Sequence, residues 1–141
     1  MPSEAPQVAL SRDINDAHPK LKERFERLLA RYREVRPGRD LMLTCVYRSP
    51  EEQNRLYKIG RGPDDKRPKV TNCDGIDKKS NHNYYPSHAV DVAIVDGGKV
   101  TWSDMAYYDL GPISREVGLS WGGYWTSFQD YPHLELFKED A

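Results

Sequence analysis

The segment from Ser80 to Val92, reading SNHNYYPSHAVDV, constrains this chain more than any other. Ala89 to Val95 alternates as a strand does and ends at Asp96-Gly97, a turn signal. A carboxylate, Asp91, stands inside that strand, and His82 stands in the loop that enters it. Far downstream, Asp130-Tyr-Pro-His133 opens a second stretch that reads as a strand, His133 to Phe137. Side chains from these places meet if the two strands are neighbours.

Two imidazoles and a carboxylate are a set that a borderline-soft dication such as zinc takes from protein, with a fourth position left for water if it is to catalyse. His82, Asp91 and His133 supply that set. Asp130, three residues before the last of them, is placed to act as a general base. His88 is a rival ligand. It stands three residues from Asp91 and so points to the opposite face of a regular strand, which only a bulge would reverse. Glu135, two residues from His133, faces the same side and reads as a group that steadies it. A helical HExxH arrangement is absent from the sequence.

The remaining elements read as a scaffold for this centre. Residues 1–9 are a loose leader. From Pro19, the residues Leu21, Phe25, Leu28, Leu29 and Tyr32 recur at helical spacing, and Pro37-Gly38 ends the run. The opposite face is rich in arginine and lysine. It reads either as a solvated face with helix-spaced ion pairs or as an attraction toward a polyanion, nucleic acid or anionic envelope. Leu41 to Tyr47 is a strand. Ser49-Pro50-Glu51-Glu52 then starts a helix that runs to Ile59 and stops at Gly60, with Glu52 closing a capping box. Arg48 falls between that strand and that helix, as a surface arginine or as a clamp for a substrate carboxylate or carbonyl.

Val70 to Asn72 forms a short strand or a turn. A further helix is capped by Thr101 or Ser103, breaks at Gly111-Pro112, and resumes to Val117 with Gly118 as its stop. Leu119 to Trp121 closes the sheet. Trp121 belongs to the core, whereas Tyr124 and Trp125, among glycines and polar residues, line a groove. Strands and helices do not alternate regularly, so the expected fold class is α+β: a small central antiparallel sheet flanked by helices, with the metal site on the sheet face.

At 141 residues the chain is expected to be one catalytic domain with no separate wall-binding domain. Its net charge of −1 names no partner, and neither an export signal nor a long apolar run is visible. Cys45 and Cys73 read as two reduced thiols rather than a disulfide.

Taken in order, Ser80-Asn-His82, Ala89-Val-Asp91 and Asp130-Tyr-Pro-His133, with Trp121 to Trp125 and Tyr47-Arg48-Ser49 plus Gln53, resemble a known pattern. It is that of the D-alanyl-D-alanine carboxypeptidase and L-alanyl-D-glutamate endopeptidase family of zinc peptidases, above all its small bacteriophage endolysins. The likeness spans about His18 to Leu136. One departure is a gap from His82 to Asp91 two residues longer than usual, with Tyr85-Pro-Ser87 where a single glycine is common. The resemblance implies one zinc ion held by His82, Asp91 and His133. It implies Asp130 as the base and Arg48 as the group that stabilises an oxyanion or holds a carboxylate. Gln53, Ser80, Tyr124 and Trp125 are then substrate-binding residues. The implied activity is cleavage of the L-alanyl-D-glutamate bond of peptidoglycan for host lysis, by a monomer made in the host cytoplasm that acts in the periplasm. A separate membrane-permeabilising protein would release it, with no nucleic acid and no membrane insertion involved. The alternatives are a D-alanyl-D-alanine carboxypeptidase or dipeptidase, and a non-catalytic zinc-binding module.

Overall fold

The computed structural model describes residues 4–141. The chain runs α1 (Pro19–Val35), β1 (Arg39–Cys45), α2 (Pro50–Tyr57), β2 (Ala89–Asp96), β3 (Lys99–Thr101), α3 (Leu110–Val117), β4 (Leu119–Trp121) and β5 (His133–Leu136). All five strands form one antiparallel sheet in the order β1-β2-β5-β4, with β3 paired to the far end of β2. The expected α+β architecture is what the chain adopts.

Strand alternation divides the sheet into two faces. Val90, Val92 and Ile94 of β2 and Leu134 and Leu136 of β5 enter the core. The same core takes Leu21, Phe25, Leu28 and Tyr32 from α1 and Leu110, Ile113 and Val117 from α3. Leu28 has no exposure at all, so Leu28→Ala removes about 2–5 kcal/mol of stability. The residues between them, Asp91 on β2 and His133 and Glu135 on β5, belong to the other face. One face of the sheet thus holds the fold and the other holds the chemistry.

α1 begins at Pro19 as its spacing predicts, with the His18 ring accepting from the Lys20 N–H. Its arginines are engaged by carboxylates: Arg27 by Glu23, Arg31 by Glu34 and Glu116, Arg33 by Asp40, and Arg24 by Asp140. The ion pairs expected on this face are present. Ser49 caps α2 by accepting from the Glu52 N–H at 3.1 Å. The reciprocal half of the capping box is missing, because the Glu52 carboxylate pairs with Arg55 at 2.7 and 2.8 Å instead.

Other expectations are corrected. α2 ends at Tyr57 rather than Ile59, and Val70 to Asn72 forms no strand. The Gly111-Pro112 pair does not interrupt α3, because Pro112 lies in its first turn, where backbone N–H groups have no intrahelical partner. Gly118 does end it, at φ 81°. Ser103 gives no side-chain cap; its segment is a short 3-10 turn, Asp104–Tyr107. Residues 1–3 of the expected leader lie outside the described residues. The leader is tied down at its end, where Ala9 accepts from the Ser49 N–H at 2.9 Å and Leu10 bridges to Arg48. No helix is long and apolar enough to cross a membrane among the described residues.

Candidate metal centre

β2 is the middle of the centre. In the antiparallel register Asp91 lies opposite His133 on one side and opposite Cys45, past a bulge at Leu43–Cys45, on the other. His82 arrives from the short helical turn Asn81–Asn83. That turn is fixed by Ser80, whose Oγ accepts from the His82 N–H at 3.2 Å and whose own N–H donates to Asn83 Oδ1 at 2.8 Å. Ser80 lines the groove, but its hydroxyl serves the turn that carries His82.

The two imidazoles are oriented by what holds their far nitrogens. His82 Nδ1 lies 2.9 Å from the Val46 carbonyl oxygen, which can only accept, so Nδ1 carries a proton. Its Nε2 lies 3.1 Å from Asp91 Oδ1 yet makes no hydrogen bond, a buried polar atom without a partner. His133 is arranged the other way about. Glu135 Oε1 takes Nε2 at 2.6 Å, and Nδ1 lies 3.1 Å from the same Asp91 oxygen. Each ring therefore turns one nitrogen toward Asp91, while a carbonyl or carboxylate fixes the other. Orienting partners of this kind are characteristic of metal-ligating histidines. Asp130 Oδ2 lies 3.8 Å from His133 Nδ1, and Arg48 Nη2 lies 3.5 Å from Asp91 Oδ2.

The electrostatics agree with this donor set. In the absence of a bound cation, burial acts to lower the pKa of His82, yet the Asp91 carboxylate overrides it and holds the ring up at about 10. His133 is likewise held up at about 9, against burial, by Asp91 and Glu135. Burial acts to raise Asp91, but the two imidazoles keep its carboxyl well below the usual carboxylate range. Asp130 is pushed up by burial and by the Asp91 charge. Two rings that draw protons into a buried carboxylate cluster are rings that a dication would satisfy in their place. The orphaned Nε2 and the shared Asp91 oxygen make the residues fit a divalent metal.

Donor atoms of Asp91, Asp130 and His133 all lie within 4.8 Å of one another, as do those of Cys45, His82 and Asp91. The buried Cys45 thiol approaches His82 Nδ1 at 3.6 Å, on the side of the ring already taken by Val46. His82 Nε2, Asp91 and His133 Nδ1 are the groups turned to the groove. His88 stands outside the cluster: its ring stacks on Tyr84 at 4.5 Å and meets His18 edge-on. The longer loop returns to β2 through the His88 N–H, which donates to the Asn81 carbonyl oxygen at 3.0 Å.

A groove of about 570 Å³ opens over these residues, lined also by Arg48, Trp125 and Phe128. Trp125 sits as its sequence position predicts, its ring 5.0 Å from that of His133. Two other residues expected to bind substrate do not line the groove. Tyr124 packs edge-on against Trp121 at 5.1 Å, with the Arg115 guanidinium 4.3 Å over its ring, and does not line the groove. Gln53 has no exposure. Its amide accepts from Arg48 Nη1 at 2.9 Å and donates to Thr71 Oγ1 and the Cys73 carbonyl, so it positions Arg48 from beneath the groove.

The Trp-Gly-Gly segment has a steric purpose that spacing does not reveal. A Cβ at Gly122 would collide with the Asp130 carbonyl oxygen, and Asp130 N–H donates to the Gly122 carbonyl at 3.1 Å. Asp130 keeps its place because nothing larger than hydrogen stands behind it.

A family model described as D-alanyl-D-alanine carboxypeptidase matches residues 74–136, which hold His82, Asp91, Asp130 and His133. The chain is similar to the peptidoglycan L-alanyl-D-glutamate endopeptidase CwlK of Bacillus subtilis, 35% identical over 133 residues, covering 86% of this chain and 74% of that protein. Its fold matches the crystal structure of the Serratia marcescens L-Ala D-Glu endopeptidase ChiX with a TM-score of 0.66 and 23% identity, covering 98% of this chain and 93% of that one.

Proposed function

Because the chain belongs to the D-alanyl-D-alanine carboxypeptidase and L-alanyl-D-glutamate endopeptidase family of metallopeptidases, we propose that it cleaves the L-alanyl-D-glutamate bond of peptidoglycan stem peptides. The observation that carries this reading is the convergence of His82 Nε2 and His133 Nδ1 on Asp91, with Asp130 beside them. CwlK, over a third identical, is named for that bond.

His82, Asp91 and His133 would hold the ion, and two imidazoles with one carboxylate favour zinc. A divalent ion there supplies Lewis acidity toward water and toward the scissile carbonyl. Asp130 takes the proton of the attacking water as its oxygen bonds the carbonyl carbon, then gives that proton to the amine nitrogen as the C–N bond breaks. This exchange contributes typically about 10²–10⁴-fold. Arg48, steadied by Gln53, presents its guanidinium to charge that develops on the carbonyl oxygen.

The resemblance to small phage endolysins supports a role in host lysis. In that role a monomer made in the cytoplasm reaches the periplasm after a separate protein permeabilises the membrane. Asp130→Ala separates turnover from binding: zinc stays at one equivalent by metal analysis while lysis of sacculi stops. Unchanged lysis would refute the base. Mass analysis of purified stem peptides decides the bond. New L-alanyl carboxyl and D-glutamyl amino ends are expected, whereas release of free D-alanine would mark the carboxypeptidase that the family model's description names.

A further inference from the structure

The groove carries positive charge as well as the acidic metal cluster. Lys78 and Lys79 line it, and neither has a carboxylate within ion-pair distance among the described residues. The arginines of α1 and α2 are all so paired. Lys79 Nζ is held 5.4 Å over the Tyr84 ring, which is itself stacked on His88.

The backbone that presents these lysines is built firmly. Asp74 Oδ1 accepts from the N–H groups of Ile76, Asp77 and Lys78 at 2.8, 2.9 and 2.9 Å, and the Gly75 N–H donates to the Lys78 carbonyl at 3.0 Å. The turn is docked onto α2 by Asn54 Nδ2, which donates to the Asp74 carbonyl at 3.0 Å. Gly75, at φ 80°, sits so close that a Cβ would lie 2.6 Å from the Pro50 carbonyl oxygen. A firmly held turn that places two lysines without ion-pair partners along a substrate groove is suited to an anionic substituent. Arg48, steadied by Gln53, is given to the scissile carbonyl oxygen in the reading above, which leaves such a substituent to other cations.

In the bond assigned above, the D-glutamyl residue continues the stem peptide through its side-chain carboxyl. Its α-carboxylate is therefore free, on the carbon that bears the scissile nitrogen. We propose that Lys78 and Lys79 bind this carboxylate and make the enzyme selective for D-glutamyl over α-amidated, D-isoglutaminyl stem peptides. The inference rests on the endopeptidase reading.

The test uses two synthetic stem peptides that differ only in acid or amide at that position, with cleavage sites read by mass. The zinc-loaded wild-type enzyme is expected to prefer the acid by about tenfold in kcat/KM, chiefly through KM, as charge-assisted contacts allow. The preference should shrink with added salt. Lys78→Ala with Lys79→Ala should bring the ratio near one, and Lys78→Arg with Lys79→Arg should retain it. A wild-type ratio of one, or a double alanine variant that keeps the ratio while both rates fall, overturns the proposal. Cleavage of both peptides at a different bond refutes the endopeptidase reading and this inference with it. So does cleavage of neither.

Discussion

The two walls of the groove are held by different means. Asp91 and His133 are partners in the β2–β5 ladder, and His82 is bound to the Val46 carbonyl, so the reactive wall is placed by the sheet and its immediate neighbours. The wall from Thr71 to Lys79 has no strand or helix. It is held mainly by side chains, Gln53 and Asn54 on α2 and Asp74 within the turn, with one backbone bond from Gly75 N–H to the Lys78 carbonyl. Chemistry has been put where backbone pairing fixes position, and recognition where a few amide contacts do. The first wall should respond to mutation abruptly, the second by degrees.

The sharpest break in that contrast is at the ligands. On the proposed ligand set, His82→Ala should abolish both stoichiometric zinc and turnover, read by metal analysis and peptide cleavage, because that set loses one of its three donors. Next is Gly122→Ala, where the new methyl must push Asp130 aside. We expect about a 10²-fold loss of kcat with zinc still bound, since an ångström of misplacement costs about that much. Glu135→Gln should weaken zinc affinity by about 10–100-fold, measured by competition with a chelator, by loosening the His133 ring. On the other wall, Asn54→Ala should lower stability by only about 0.5–1.5 kcal/mol in urea unfolding and raise KM rather than lower kcat. Equal effects from Gly122→Ala and Asn54→Ala on kcat would erase the distinction.

Acidity supplies a milder test. His82 and His133 have pKa values raised to about 10 and about 9, above the ordinary 6.5. Their contribution to the stability of the metal-free protein is therefore full below about pH 6.5 and is lost as pH rises through these values. Metal competes with the same protons. The rise in Tm on adding zinc should accordingly grow from pH 6 to pH 9, and proton release should accompany binding. A zinc shift that is constant across this range would place the ion elsewhere.

Much of this could be read in the sequence, and the reason is periodicity. α1 showed its buried stripe, β2 and β5 showed alternation, and Asp91 and His133 stood out as polar breaks in apolar strands. Strand parity weakened His88 as a rival, and the preference for His82 came from the resemblance, in which Ser80 keeps its place before it. What stayed hidden depended on tertiary contact. Gln53, expected from the resemblance to bind substrate, is instead buried, its amide donating to Thr71 and the Cys73 carbonyl. Tyr124 has the same local surroundings as Trp125, and only its packing on Trp121 and Arg115 tells them apart. β3 is three residues long and mostly exposed, too short for a pattern to declare itself. The lysine-bearing turn has no period at all, and Cys45 meets Asp91 only through the sheet register.

That register has a consequence for quality control in the cell. Were β5 to pair with β2 one residue out of step, His133 would swing to the opposite side of the sheet from Asp91. Such a molecule would lack its cutting centre altogether instead of having a sloppy one. A hydrolase aimed at an essential polymer thus becomes dangerous only once it has folded correctly, and its misfolded siblings are harmless by construction.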